Sequence, residues 1–500
     1  MSQPKKTARN LILVIISLIP LSCGDDFLNR PLQGELTQES FPKTGEDALL
    51  STNAIYNILR NSSFHFGLFP IMDIMSDDAY KGSNPSDQAA TIGPFDKFQH
   101  IATESNLLRW WNTLYNGVRR ANVVIEKVPL IAAMNQNLQK RYVGEAKFLR
   151  ALFYFDLLRA WGGVPIVTQS TAATGLTRAS VEQVNELIIN DLLDAVSNLP
   201  EKSEYAPIDL GRATKGAARA LLARVYLFKG DFVNAEKYSL EVINSAQYDL
   251  ELLFTDANSE AGEHGAESIF EVGAMRFENI ENGGDQYGNV QGVRGTPNRG
   301  WGFNRPSLDL IAAFESGDPR REGTILYLGE EIDGITILGD GTTPDETRDA
   351  QNNLIEIECY NQKVWTPGAT VPPQFGHNRR IIRYADVLLM AAEALNENNK
   401  SALALTHLNK VRKRARGTSA LLLPDVTDTN KATLRTKIWN EQRVELALEG
   451  HRFWDLIRTG RANSILGPLG FKVGKDELLP IPQNEIDLAK GSLKQNPGWE

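Results

Sequence analysis

The stretch that decides the fold is ATKGAARALLARVYLFKGDFVNAEKYSLEVINSA, at residues 213–246. From Ala217 to Tyr226 its apolar residues recur at helical spacing, and Gly230 with Asp231 then interrupts the pattern. A second amphipathic stretch begins at Phe232. The segment therefore predicts two helices joined by a tight turn, each too short to bury its apolar face without a neighbour.

The same pattern recurs along the chain, which predicts a mostly α-helical protein. Residues 383–416 form a second helix–turn–helix pattern, with the turn at Asn398 and Asn399. The small, aromatic and glycine positions of 213–246 resemble a tetratricopeptide (TPR) unit. Helical periodicity also predicts helices over 46–60, 104–128, 137–161, 180–198 and 431–448.

Residues 249–382 differ from the helical segments in composition and in the pattern of apolar residues. Glycines are dense from Gly283 to Gly302, and only short apolar runs such as 268–273 and 354–360 suggest strands. This predicts a loop-rich insert in the helical frame, and long loops on a rigid scaffold are where binding residues tend to lie.

Composition excludes several classes of function. The 500 residues carry a net charge of −9 without a Lys/Arg block, which argues against nucleic-acid binding. Two cysteines exclude a disulfide scaffold, and we expect Cys359 to be a buried, inert thiol. The six histidines lack metal-ligand spacing, and the acidic loop 330–349 lacks that of a calcium-binding EF-hand, so no metal and no cofactor is predicted and the loop is interpreted as solvated.

The first residues have the pattern of an export signal. Lys5, Lys6 and Arg9 precede an apolar run that ends at Ser22, and Cys23 follows. The run is too short to span a membrane, and its end resembles a bacterial lipobox. We therefore predict a signal peptide over 1–22 and lipidation, including palmitate, at Cys23, which leaves a mature chain of net charge −12.

Five blocks together carry a resemblance to one protein family. CGDDFL at 23–28 resembles the usual start of SusD/RagB-like proteins, and four longer motifs follow in the family's order. These are EAKFLRALFYFDLLRAWGGVP at 145–165, RYADVLLMAAEALN at 383–396, NEQRVELALEGHRFWDLIR at 440–458 and LLPIPQNEIDLAKGSLKQNPGW at 478–499. The departures are small, since Gln442 stands for the usual Arg and Trp499 for the common Tyr or Phe.

The resemblance implies a fold and a function. The fold is a single SusD-like α-helical domain over 23–500, with four irregular TPR-like helix pairs and a loop-rich ligand-binding insert with little β-structure. Its parts would be 23–248, 249–382 and 383–500. The function is that of a non-catalytic Bacteroidetes lipoprotein on the outer membrane surface. Such proteins capture an oligosaccharide, or a peptide in RagB-like members, as the lid of a SusC-like TonB-dependent transporter.

Glycan binding requires flat aromatic side chains for sugar faces and polar side chains for hydroxyls. Trp111 lies on the helical face that continues as core, so its neighbour Trp110 is the expected exposed stacking residue. Arg294, Asn298, Phe303 and Trp365 are secondary candidates. The main candidates for ligand binding are Asp77, Asp78, Tyr80, Trp110, Asn112, Tyr287, Arg299 and Trp301.

The motif at 440–458 is interpreted as structural. Its alternating charges predict ion pairs between neighbouring turns, and Glu449, His451 and Asp455 are more simply explained by helix packing than as catalytic residues. Two alternatives remain open. One is a glycoside hydrolase, which needs two carboxylates across a cleft, and the other is a TPR scaffold for peptides.

Overall fold

The structure, a computed structural model, describes residues 41–61, 64, 73–171, 175–275, 286–368, 376–419 and 421–500. The predicted signal peptide and Cys23 lie outside these residues. Residues 44–500 form one compact unit. Among the described helices, none combines the length and the apolar character that crossing a membrane requires.

Among the described residues, most of the regular secondary structure is helical, which confirms the predicted, mostly α-helical fold class. The helices are α1 (Gly45–Leu59), α2 (Gly93–Asp96), α3 (Ser105–Lys127), α4 (Gln136–Trp161), α5 (Val181–Asn198), α6 (Lys215–Phe228), α7 (Phe232–Asn244), α8 (Gln286–Gln291), α9 (Leu308–Ala313), α10 (Tyr384–Glu397), α11 (Ser401–Arg416), α12 (Lys431–Glu445), α13 (Arg452–Arg458), α14 (Ala462–Leu466) and α15 (Gln483–Leu488).

Local signals set the helix ends. The Thr214 side chain accepts from the backbone N–H of Ala217 at the start of α6, and Asp231 does the same for Asn234 at the start of α7. Gly230 between them has φ +70°, a left-handed turn that favours glycine. The predicted pair over 213–246 is therefore formed where its turn chemistry places it.

The long helices pack in pairs around one large core. α3 packs on α4, α4 on α5, α6 on α7 and α10 on α11, while α7 and α12 both contact α10. The shared core runs from Ala48 to Leu493 and includes a nearly continuous buried stretch of α4. α4 is apolar on several sides because α1, α3, α5 and α6 all contact it.

The strands are short and pair only in twos. They are β1 (Ala79–Gly82), β2 (Ser268–Val272), β3 (Phe303–Pro306), β4 (Ile325–Tyr327), β5 (Glu331–Ile332), β6 (Ile335–Thr336), β7 (Glu346–Arg348), β8 (Leu354–Ile357), β9 (Cys359–Asn361) and β10 (Arg379–Arg383). The antiparallel pairs are β1–β3, β2–β10, β4–β9, β5–β6 and β7–β8. Both predicted strand regions, 268–273 and 354–360, therefore contain strands.

The insert 249–382 and residues 73–98, together called the loop-rich half, contribute to small hydrophobic clusters apart from the main core. One cluster contains Cys359, which is fully buried as expected, and burial raises the pKa of its thiol to about 12. The thiol is therefore protonated at neutral pH and unreactive. Another cluster contains Ile74, Ile92, Tyr287, Val290, Phe303 and Val364. These clusters hold the loops in place without a continuous sheet.

Candidate functional site

The pairing of β1 with β3 joins two segments that are far apart in the chain. Tyr80 lies opposite Arg305, and Gly82 lies opposite Phe303. A Cβ atom on Gly82 would lie 2.5 Å from the carbonyl oxygen of Gly302, so the close approach of the two strands requires glycine at position 82. The predicted block around Tyr80 and the glycine-rich segment that contains Trp301 therefore meet at one surface.

Trp301 is the half-buried aromatic residue of this surface. Its indole packs against the cluster that contains Tyr287, Val290 and Phe303, and its backbone N–H donates to the carbonyl oxygen of Asn289 at 2.9 Å. The ring is therefore fixed by the fold while part of it stays accessible to solvent. Of the two tryptophans in the insert, Trp365 is buried, and its Nε1 donates to Asp333 Oδ2 at 2.6 Å.

Polar side chains lie on the segments next to Trp301, where a Cβ atom on Gly302 would lie 3.0 Å from the Cβ atom of Arg294. Arg294 Nε donates to Asp340 Oδ2 at 2.6 Å, and its Nη1 donates to Asp87 Oδ2 at 2.5 Å. Asn84 Nδ2 donates to the Thr342 hydroxyl at 3.3 Å. We call this surface the Trp301 face and define it by Tyr80, Asn84, Asp87, Arg294, Asn298, Trp301 and Asp340.

The electrostatics of the Trp301 face centre on Asp340. Burial opposes its ionisation, but the backbone N–H groups of Thr343 and Thr342 and the guanidinium of Arg294 outweigh that effect and lower the pKa of Asp340. Tyr80 lies at the edge of the face. Its hydroxyl donates a hydrogen bond of 2.8 Å to the carbonyl oxygen of Ile355. The face therefore offers carboxylates, amides and one indole in a pre-formed arrangement.

Sequence reasoning missed part of this surface. Asn84 and Asp87 were not candidates, and Asp340 was assigned to a solvated loop. The one available signal was Asp340 between Gly339 and Gly341, which both have positive φ. Such a turn can place a carboxylate close to a neighbouring backbone, but the identity of that neighbour depends on tertiary contacts.

Asp77 and Asp78 were expected to face a ligand, but both are buried and paired with arginines. Asp77 accepts two hydrogen bonds of 2.8 Å from Arg452, while Asp78 accepts one of 2.7 Å from Arg443. Burial alone would raise the pKa of Asp77, but Arg452 and Arg443 together lower it. These carboxylates join the loop-rich half to α12 and α13 and lie below the surface.

The expectation that Trp110 is exposed is wrong. Its side chain is 0% exposed and lies 5.1 Å from Trp161, between ring centroids. α3 packs against both α1 and α4, so a residue 100° away from the Trp111 face still points into the core. Asn112 is exposed, and it lines a separate groove of about 440 Å³ together with Trp111 and Tyr115.

Tyr287 and Arg299 are also largely buried. The Tyr287 hydroxyl donates to the carbonyl oxygen of Leu448 at 3.3 Å. The Arg299 guanidinium lies 5.3 Å from the centre of the Trp365 ring. Tyr287 belongs to the cluster against which Trp301 packs, and of the three main candidates in the insert Trp301 is the most exposed.

The motif at 440–458 forms tertiary ion pairs. Arg383 donates to Glu267 and Glu445 at 2.6 Å each and to Glu449 at 2.8 Å, and Lys363 donates to Glu449 at 2.6 Å. The predicted pairing of its glutamates within neighbouring turns is therefore wrong. Other arginines complete the network, namely Arg320, Arg412 and Arg414.

The same geometry argues against the catalytic interpretation of this motif. Burial alone would raise the pKa of Glu449, but Arg383 and Lys363 outweigh it and lower that pKa to about 2. Burial lowers the pKa of His451 to about 4, so its imidazole is neutral at pH 7. Within the described ranges, no group of three or more His, Cys, Asp or Glu side chains could hold a metal ion.

Two family profiles match most of the chain. The profile described as "SusD family" matches residues 266–499, and one described as "Starch-binding associating with outer membrane" matches residues 70–227. The chain belongs to the SusD/RagB-like family. The match over residues 266–499 includes the motifs at 383–396, 440–458 and 478–499, and the helix pairs of this SusD-like protein agree with the expected fold.

Individual relatives align over nearly the whole chain. SusD-like protein P38 of Formosa agariphila is 28% identical over 498 residues, covering 91% of this chain and 92% of that protein. A solved structure named "Laminarin binding SusD-like protein" is 29% identical with a TM-score of 0.76, covering 91% of this chain and 100% of that chain. Surface glycan-binding protein A from Bacteroides thetaiotaomicron, solved with laminarihexaose, is 25% identical with a TM-score of 0.75 over 90% of this chain and 99% of that one.

Proposed function

We propose that this SusD-like protein captures an oligosaccharide on the Trp301 face. The observation that carries the proposal is a half-buried indole just before β3, beside the β1–β3 pair, with carboxylates and amides on the neighbouring segments. Sugar rings stack their C–H faces on such a ring, and their hydroxyls bond to such polar groups. Similar proteins that bind laminarin or hold laminarihexaose support the same class of ligand.

The proposed setting is the outer membrane. Acylation of Cys23 after removal of residues 1–22 would anchor the mature chain by several acyl chains, which hold more firmly than one. The profile name that mentions the outer membrane supports this location. In this setting the protein acts as a binding lid of a SusC-like TonB-dependent transporter and carries out no reaction itself.

Replacement of the indole tests the binding proposal. We expect Trp301→Ala to weaken retardation in gels that contain neutral polysaccharides by about tenfold or more, since loss of a central aromatic contact commonly costs over 1 kcal/mol. Trp439→Ala is the matched control, because Trp439 is also half-buried but lies on α12 under the Arg461 guanidinium, 4.2 Å from its ring centre. Equal retardation of both variants and the parent chain would contradict the proposal.

A second measurement separates binding from catalysis. The purified chain, incubated with the polysaccharides that it retains, should produce no new reducing ends over many hours. Release of reducing ends would instead support the hydrolase alternative. Tight binding of peptides with no retention of glycans would support the peptide scaffold.

A further inference from the structure

The acidic loop 330–349 forms the rim of the Trp301 face. Thr296 and Gly339 form an isolated antiparallel bridge, in which the Thr296 N–H donates to the Gly339 carbonyl oxygen at 2.8 Å. The next residue, Asp340, accepts from Arg294, and Thr342 accepts from Asn84. The loop is therefore attached to both segments that build the face.

This rim is strongly acidic. Residues 330–349 contain seven acidic residues and one basic residue, Arg348. Arg348 is itself paired with Glu346 at 2.6 Å. Over the whole insert, residues 249–382 hold 23 acidic and 10 basic residues, whereas the complete chain has a net charge of only −9. Exposed carboxylates of the rim belong to Glu330, Glu331, Asp333, Asp345 and Glu346.

Three described cations beside the Trp301 face, Lys81, Arg294 and Arg305, are bound to groups of the protein. Lys81 Nζ donates to the carbonyl oxygens of Gly82, Asn84 and Asp87 at 2.8, 3.0 and 2.9 Å, which uses all three of its N–H donors. Arg294 lies between Asp87 and Asp340. On β3, which pairs with the strand of Lys81, the Arg305 guanidinium lies 3.1 Å from a carboxylate oxygen of Glu356.

We propose that the Trp301 face accepts uncharged oligosaccharides and rejects polyanionic ones, such as sulfated glycans or polymers of uronic acids. This inference rests on the proposed function of the same face. A sulfate or carboxylate on a sugar needs a cation that is available to it, and here Lys81, Arg294 and Arg305 are held by acceptors and carboxylates of the protein. The exposed carboxylates of the rim add like-charge repulsion, which acts against such ligands at a distance.

The test compares a neutral polymer with its charged derivative. Laminarin and amylopectin, each with a carboxymethylated form of the same backbone, are placed in affinity gels with residues 24–500 at low ionic strength. We expect the charged form of a retained polymer to bind at least about tenfold more weakly, and the difference to shrink at about 1 M salt, where screening acts within about 3 Å. Equal retention of both forms, or stronger retention of the charged form, overturns the inference and leaves the proposed function intact.

Neutralising the rim tests its cause. Glu331→Gln with Asp345→Asn should raise retention of the carboxymethylated polymer about threefold or more and leave retention of the neutral one unchanged. The control, Glu46→Gln with Glu186→Gln, removes the same charge from exposed positions on α1 and α5 and should change neither. Identical behaviour of the two variants overturns the role of the rim. Failure to retain any neutral polymer, including one outside this pair, contradicts the proposed function itself.

Discussion

Arg383 shows how single buried charges hold the two halves of this protein together. Its side chain is 1% exposed and bonds to Glu267 from the insert and to Glu445 and Glu449 from the end of α12 and the loop beyond it. Each of these carboxylates would be costly to bury alone. The network therefore makes the loop-rich half dependent on the helical half for its charge balance.

Loss of this guanidinium should be severe. Arg383→Ala leaves three buried carboxylates without their shared partner, so we expect the free energy of unfolding in urea to fall by about 3–5 kcal/mol. Arg348→Ala is the control, because the Arg348–Glu346 pair is 43% and 51% exposed and should contribute under about 1 kcal/mol. A change below about 1 kcal/mol for Arg383→Ala would contradict the assigned role.

The same network predicts sensitivity to acid. Because the pKa of Glu449 falls from 4.5 to about 2 in the folded chain, its contribution is complete above pH 4.5 and is lost as the pH falls towards 2. We expect unfolding free energies measured between pH 5 and 2 to decrease by about 3 kcal/mol from this group. Glu449→Gln should flatten the decrease in that window, whereas an equally steep decrease in the variant would assign it to other carboxylates.

At the scale of elements, α3 and α4 approach each other more closely than side chains normally allow. A Cβ atom on Gly117 would lie 2.4 Å from Cε2 of Phe153, which is fully buried. Gly117 therefore acts as a contact surface for an aromatic ring. The helix periodicity predicts α3 well, but it contains no information about which residue of α4 faces this glycine.

This contact predicts an unusual effect of alanine. Although alanine favours a helix over glycine by about 1 kcal/mol, Gly117→Ala should destabilise the chain by about 1–3 kcal/mol because the buried ring has to move. Gly45→Ala at the start of α1 is the control, since its nearest neighbour would be Met134 at 3.9 Å. Thermal unfolding of both variants tests this expectation, which fails if Gly117→Ala unfolds at or above the temperature of the control.

At the scale of the whole molecule, the proposed anchor can be tested apart from ligand binding. Cys23→Ser removes the thiol that lipidation requires, so the variant should lose incorporation of labelled palmitate and leave the outer membrane fraction. Its retention by glycan gels should equal that of the parent chain, because the Trp301 face lies within the compact unit of residues 44–500. Unchanged membrane association and labelling would contradict the proposed anchor.

Much of the helical frame could be predicted from local patterns. The helices predicted at 180–198 and 213–246 are found at Val181–Asn198 and at Lys215–Phe228 with Phe232–Asn244. Their periodicity, capping residues and turn glycine act over a few residues, so the local sequence contains them. The same reasoning placed Trp301 in a loop-rich segment and ranked it above Trp365, but the burial of Trp365 depends on tertiary contacts.

The sequence by itself determined the mostly helical fold, the loop-rich insert and the family, because periodicity and ordered motifs are properties of neighbouring residues. The tertiary structure decided the roles of individual side chains. It buried Trp110 between two helices, assigned Asp77 to Arg452, and joined Trp301 to an acidic rim through Arg294 and Asp340. The exposure and ion pairing of a side chain depend on which distant segment packs against it, and that segment is brought there only when the tertiary structure forms.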